Sequence, residues 1–154
     1  KFNTERISGN GQYIVGGTNG YTVYLFSNSS NSTLWTYSTQ GNPIKQVGIS
    51  SDGETIVALS NSRLYVFDKD DDSPVWDVQL SSAKDVEISN DGEYIAVGSS
   101  DDKLYLFDKE SNTPLWTYST GDDGYVISLD ITYDGEYIAL KSKEFFFHFI
   151  KTKN

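Results

Sequence analysis

The 154-residue chain contains no cysteine. That excludes a disulfide scaffold, a thiolate metal site, a cysteine nucleophile and thiol redox chemistry. It contains one histidine, His148. A metal site built from several histidines of one chain is therefore excluded, and a Ser-His-Asp triad would have to use that residue. No run approaches the ~20 apolar residues of a membrane-spanning helix, so membrane insertion is not expected. Positive charge is scarce, with 12 Lys and Arg against 22 Asp and Glu and a formal net charge of −10. Such a surface argues against a nucleic-acid backbone or an anionic membrane as partner. Methionine is also absent. Lys1 is thus not a translation start, and the expectation is a processed chain or a piece of a longer one. Helical periodicity is missing from every segment of ten residues or more.

What the sequence does contain is repetition. ISGNGQYIVGG begins at Ile7, ISSDGETIVALS at Ile49, ISNDGEYIAVGS at Ile88 and ITYDGEYIALKS at Ile131. The aligned glycines are Gly11, Gly53, Gly92 and Gly135, spaced by 42, 39 and 43 residues. A second block follows each start: TVYLF at Thr22–Phe26, RLYVFD at Arg63–Asp68, KLYLFD at Lys103–Asp108 and the degenerate EFFFHFI at Glu144–Ile150. A third block reads TLWTYST from Thr33, PVWDVQL from Pro74 and PLWTYST from Pro114. Each tryptophan (Trp35, Trp76, Trp116) lies 23 or 24 residues after its glycine, and a fourth copy of that block is missing.

Each repeat divides into four short runs separated by Gly, Asn, Asp, Ser and Pro, the pattern of strands and turns. Asn90-Asp91-Gly92 and Asp134-Gly135 are hairpin signals because Asn and Gly tolerate positive φ. Inner runs such as Tyr94-Ile95-Ala96-Val97 and Leu104-Tyr105-Leu106-Phe107 are apolar on both faces. A sheet of that kind must lie between two others. Four-stranded antiparallel units of about 42 residues, each stacked on the next, are expected to be β-propeller blades. The expected fold class is all-β, with three full blades plus three strands of a fourth. Innermost strands fall at Asn3–Ser8, Ile44–Ser50, Ala83–Ser89 and Val126–Thr132. The expected organisation is one propeller over residues 1–154, with blades at approximately 1–40, 41–81, 82–121 and 122–154.

The first half of each repeat, such as ISNDGEYIAVGSSDDKLYLFD, resembles WD-repeat propeller blades. Phe67-Asp68 and Phe107-Asp108 stand where that family often has Trp-Asp. The Gly-His pair of WD repeats is absent, so its buried hydrogen-bond network is not implied. The second half, such as LYLFDKESNTPLWTYST, looks like a quinoprotein-type blade. The resemblance implies a fold and leaves the activity open, since propellers carry many functions. Fifteen strands fall short of four full blades. Three readings stand open: a small imperfect ring, a half-ring completed by a second copy or another chain, and a fragment of a longer propeller. The uncovered faces of end blades would invite association.

Few residues suggest chemistry. Asp68, Asp70 and Asp72 have the spacing of a calcium loop. Gln79 stands where an EF-type loop would need Glu, and Ser73 where it would need Gly. The expectation is a solvated hairpin tip with no resident cofactor, Ca2+ being the one metal to test. Partner-binding candidates come from the loops joining one blade to the next and from polar residues on innermost strands: Gln40, Asn42, Lys45, Gln46, Lys84, Asp85, Asp122, Asp123 and Tyr125. The inner-strand residues equally suit a wet central channel. Recurrence at blade spacing assigns the tryptophans to packing between blades. Asn28 and Asn31 each open a glycosylation sequon, which points to an extracellular or cell-surface protein, with a cytoplasmic scaffold as the alternative. Neither a G-x-S-x-G elbow, a P-loop nor a dinucleotide fingerprint occurs. The vicinal cysteines of quinoprotein dehydrogenases are absent. The resulting expectation is a non-catalytic binding or scaffold module for proteins or other ligands. Its alternatives are a structural assembly subunit and a quinoprotein-like enzyme fragment. A protein partner or a second copy of the chain is the expected company.

Overall fold

The computed structural model describes residues 1–30, 32–80, 82–144 and 147–152. Asn31, Ser81, Phe145 and Phe146 of the preceding section lie outside the described residues. Among the described residues fifteen strands follow in order: β1 (Phe2–Ile7), β2 (Tyr13–Thr18), β3 (Thr22–Ser27), β4 (Ser32–Ser38), β5 (Ile44–Ile49), β6 (Thr55–Ser60), β7 (Arg63–Asp68), β8 (Pro74–Gln79), β9 (Ala83–Ile88), β10 (Tyr94–Ser99), β11 (Lys103–Asp108), β12 (Trp116–Ser119), β13 (Val126–Ile131), β14 (Tyr137–Ser142) and β15 (His148–Lys151). They form three four-stranded antiparallel sheets and one of three strands, each meandering in sequence order. These are propeller blades.

Innermost strands end one residue before the expected Ser or Thr, because that residue builds the corner. Ser8, Ser50 and Ser89 each donate a hydroxyl to the Asn10, Asp52 or Asp91 Oδ1 at 2.6 Å. Thr132 does the same to Asp134 at 3.0 Å. The same Oδ1 accepts the N–H two residues on, from Gln12, Glu54, Glu93 and Glu136. The hydroxyl accepts the N–H that opens the second strand, at 3.0 Å for Tyr13, Thr55, Tyr94 and Tyr137. Gly53 and Gly92 complete their corners at φ +85° and +77°, where any Cβ is strained. The repeated I-[ST]-x-[ND]-G string is thus a self-contained turn whose polar groups satisfy one another.

Blades stack through large apolar surfaces. Val15, Val23 and Leu25 of the first meet Ile44, Val47, Ile56, Ala58, Tyr65 and Phe67 of the second. Val57, Leu59, Leu64 and Val66 of the second meet Ala83, Val86, Ile95 and Phe107 of the third. Ala96, Leu104 and Leu106 of the third meet Val126, Leu129, Ile138 and Leu140 of the fourth. Each indole N–H reaches a carbonyl of the following blade: Trp35 to Lys69 at 2.7 Å, Trp76 to Lys109 at 2.6 Å and Trp116 to Thr152 at 3.4 Å. Corners also link in series, with N–H donors of Asn10, Ser51 and Asp91 bonded to the carbonyls of Ser51, Asn90 and Tyr133. Inner strands β5, β9 and β13 each pack on the blade before them.

Candidate functional site

Two of the surfaces that remain after stacking depart from the repeat: the polar edge of the innermost strands and the outward faces of the first and last blades. Pairing with the second strand fixes equivalent positions on the inner strands. Thr4, Gln46, Asp85 and Ser128 are one set; Arg6, Gly48, Glu87 and Asp130 are another.

Much of the polar edge is engaged in holding blades together. The Gln46 amide donates to the Val86 carbonyl at 3.0 Å and accepts the Val86 N–H at 3.3 Å. One Asp85 oxygen accepts the Leu129 N–H at 2.7 Å. Asn42 donates to the Thr39 carbonyl and accepts from the Ser62 hydroxyl. The structure therefore places Gln46, Asp85 and Asn42 as braces between or within blades. Glu87 is half-buried and its carboxyl is pushed up to about 7. Burial is the main cause, Asp85 adds to it, Arg6 opposes it and Asp130 adds again.

The remaining candidates are scattered. Gln40 is exposed at φ +51°, and Lys45 is exposed at an irregularity in the β5–β6 pairing. The Lys84 ammonium lies 5.9 Å from the Tyr125 ring centroid, a contact of the cation–π kind. Asp122 is exposed on a short 3-10 turn, Gly121–Asp123. Asp123 brings an oxygen within 3.2 Å of His148 Nε2, an ion-pair distance without hydrogen-bond alignment. The Tyr118 hydroxyl stands 3.3 Å from the other ring nitrogen. Asp68 accepts the Asp70 N–H, Asp70 pairs with Lys69, and Asp72 accepts from the Ser73 hydroxyl. Those three carboxylates belong to hairpin-tip turns. Among the described residues no group of three His, Asp or Glu is arranged to hold a metal ion. Asn28 is exposed at a hairpin tip, its amide donating to the Gly11 carbonyl.

The outward faces are more distinctive. On the first blade Phe2, Tyr24 and Phe26 form one aromatic cluster with centroids 5.3–5.9 Å apart. With Glu5, Ile14 and Gly16, Phe2 and Phe26 line a shallow groove. On the fourth blade Tyr137, Ala139 and Phe149 line another with Asp130. Phe149 is 79% exposed and Phe2 46%, whereas Val66, at the register position of Phe149, is 1% exposed. Sequence reading anticipated uncovered end faces but missed the residues that differ there. The available signal was positional: Glu5 stands where the other inner strands have Val47, Val86 and Leu129.

Residues 19–144 match a family model described as outer membrane protein assembly factor BamB. No curated protein matches the chain. Among solved structures, the Cps50 (Swd1) β-propeller domain of Myceliophteria thermophila superposes with a TM-score of 0.78 at 13% identity, covering 100% of this chain and 52% of that one. A chain of a mitotic checkpoint complex gives 0.82 at 16% identity, covering 97% of this chain and 47% of that one. The chain thus spans about half the length of the solved chains it matches.

Proposed function

The chain belongs to the family described as outer membrane protein assembly factor BamB, and from that premise we propose that it is a non-catalytic interaction module whose binding surfaces are the outward faces of its first and last blades. The observation that carries this reading is the contrast in exposure at one register position, Phe149 at 79% against Val66 at 1%. Contiguous apolar surface of this kind marks sites of protein association. A propeller within a multi-protein complex is among the structural neighbours, which fits the reading without specifying a partner. The formal net charge of −10 disfavours nucleic acid as that partner.

The alternative, a quinoprotein-like enzyme fragment, would require a catalytic group that the repeat itself does not supply. His148, the one histidine, stands between Asp123 and Tyr118 on the fourth blade. An extracellular or cell-surface setting is proposed on the sequon at Asn28, which is exposed.

Photo-crosslinking tests the surface assignment. A benzophenone amino acid is placed at position 149 on the fourth face, at position 26 on the first, and at exposed Leu34 as control. Adducts are expected at 149 and 26 in excess of 34. Equal or lower yield at the two face positions would overturn the assignment.

A further inference from the structure

The two outward faces carry complementary departures from the repeat. Glu5 replaces the apolar Val47, Val86 and Leu129 on the first face. Lys141 replaces Gly17, Leu59 and Gly98 on the fourth. Interior junctions show what those positions meet. A Cβ at Gly98 would lie 2.4 Å from Val126 Cγ1 and 3.2 Å from Leu129 Cδ2 of the next blade. A Cβ at Gly17 would lie 2.2 Å from Ile44 Cγ2. The Lys141 position therefore faces the positions of Phe2 and Glu5 whenever one blade of this chain stacks on another. Both Glu5 and Lys141 are exposed, and neither has an ion-pair partner among the described residues.

We propose that the fourth blade of one copy stacks on the first blade of a second copy, and the reverse, with Lys141 of each copy paired to Glu5 of the other. The inference rests on the outward faces being the interaction surface, and it names what covers them. The two junctions are identical and head-to-tail, a geometry that closes into a ring where the rotation per copy completes the turn and runs on as a filament where it does not; the chain superposes on 52% and 47% of the two solved chains, so two copies supply the length of one ring. The lysine stem lies along Phe2 while its ammonium reaches the carboxylate, a placement that suits a long amphipathic side chain. The corner series runs in one direction along the blades as well. Tyr133, Ser51 and Asn90 act as carbonyl acceptors for the preceding blade, and Gly9 holds that position in the first blade. The same reading explains why charge enters here and not at the interior junctions: an oppositely charged pair rejects wrong stacking, such as first face on first face, by bringing like charges together.

Sedimentation velocity on the purified full chain tests this directly. The wild type is expected to associate to twice its 17.2 kDa mass. Lys141→Glu and Glu5→Lys should each weaken association by about tenfold or more, since each opposes like charges at a partly desolvated junction. The double variant should recover it. An equimolar mixture of the two single variants should also recover it, because both junctions then pair opposite charges. Recovery in the double variant but not in the mixture, read as monomer stability, would mean that the faces meet within one chain and would overturn the proposal. A monomer at every concentration would overturn it too. Association that ignores the charge changes but is abolished by Phe149→Arg would overturn the Lys141–Glu5 pairing while leaving the faces as the binding surface. Crosslinks from position 149 to a different protein would do the same for the second copy. All three substituted positions, 5, 141 and 149, are exposed, and far-ultraviolet circular dichroism checks that each variant keeps its strands.

Discussion

Phe26 and Phe67 are the same residue at the same register position of consecutive blades, paired with Ile14 and Ile56. Phe67 is 1% exposed and packs on Trp35 and Tyr37 of the preceding blade, with centroids 5.3 and 5.2 Å away. Among the described residues the ring contacts of Phe26 are with Tyr24 and Phe2 of its own blade. A blade therefore builds its face whether or not a neighbour is present, and stacking completes it. The interior junctions are stability; the outward faces are the same chemistry left available for another surface.

The largest expected effect separates these two phenylalanines. Phe67→Ala should lower unfolding free energy by about 3–5 kcal/mol, the usual range for emptying a core site. Phe26→Ala should cost about 1 kcal/mol at concentrations where the chain is monomeric. Urea titration reads both, and equal losses would break the comparison.

Charge on the inner edge gives the second contrast. Glu87 and Asp130 share a register position, but Glu87 is half-buried and Asp130 exposed. The folded-state value of Glu87, about 7 against an ordinary 4.5, means the fold favours its protonated form. Its contribution is fully present below about 4.5 and is lost as pH rises through about 7. Glu87→Gln should therefore stabilise by about 2 kcal/mol at pH 8, shrinking towards zero near pH 5. Asp130→Asn, at an exposed site, should change stability by less than about 0.5 kcal/mol at pH 8. Thermal melts at the two pH values measure this, and a flat difference for Glu87→Gln would remove the assignment.

The indole bonds supply a third. Trp76→Phe should cost about 1–2 kcal/mol, because it removes packing and strands the Lys109 carbonyl. Trp116→Phe should cost about half that, since its bond to Thr152 is 3.4 Å long. The smallest contrast lies in the corners. Ser50 is fully buried and Thr132 exposed. Ser50→Ala is expected to cost about 1 kcal/mol and Thr132→Val a few tenths. Calorimetry resolves both pairs.

Repetition made the blades legible in the sequence, because a corner such as Ser89-Asn90-Asp91-Gly92 is closed by residues only a few positions apart. The tryptophans were legible for the same reason: one side chain recurring at blade spacing signals one recurring contact. The polar edge was less legible. Gln46 and Asp85 break the apolar pattern as a ligand-binding residue would, yet each bonds a backbone group some 40 residues away. Composition cannot separate those roles, since an unsatisfied backbone donor in the next blade has no signature of its own. Glu5 and Lys141 were missed because each is an ordinary surface residue by itself. They become informative only when pairing register aligns them with Val47 and Gly98.

Strand neighbours within every sheet are also neighbours along the chain. Each blade therefore closes only short loops as it forms, and loop-closure entropy stays small. Folding of such a chain proceeds by local zippering followed by docking onto whichever blade already exists, as in a one-dimensional array. Opening should run the other way, beginning at the blades with one dry face. Amide exchange is then fastest in β13–β15 and β1 and slowest along β6, all six of whose residues are buried.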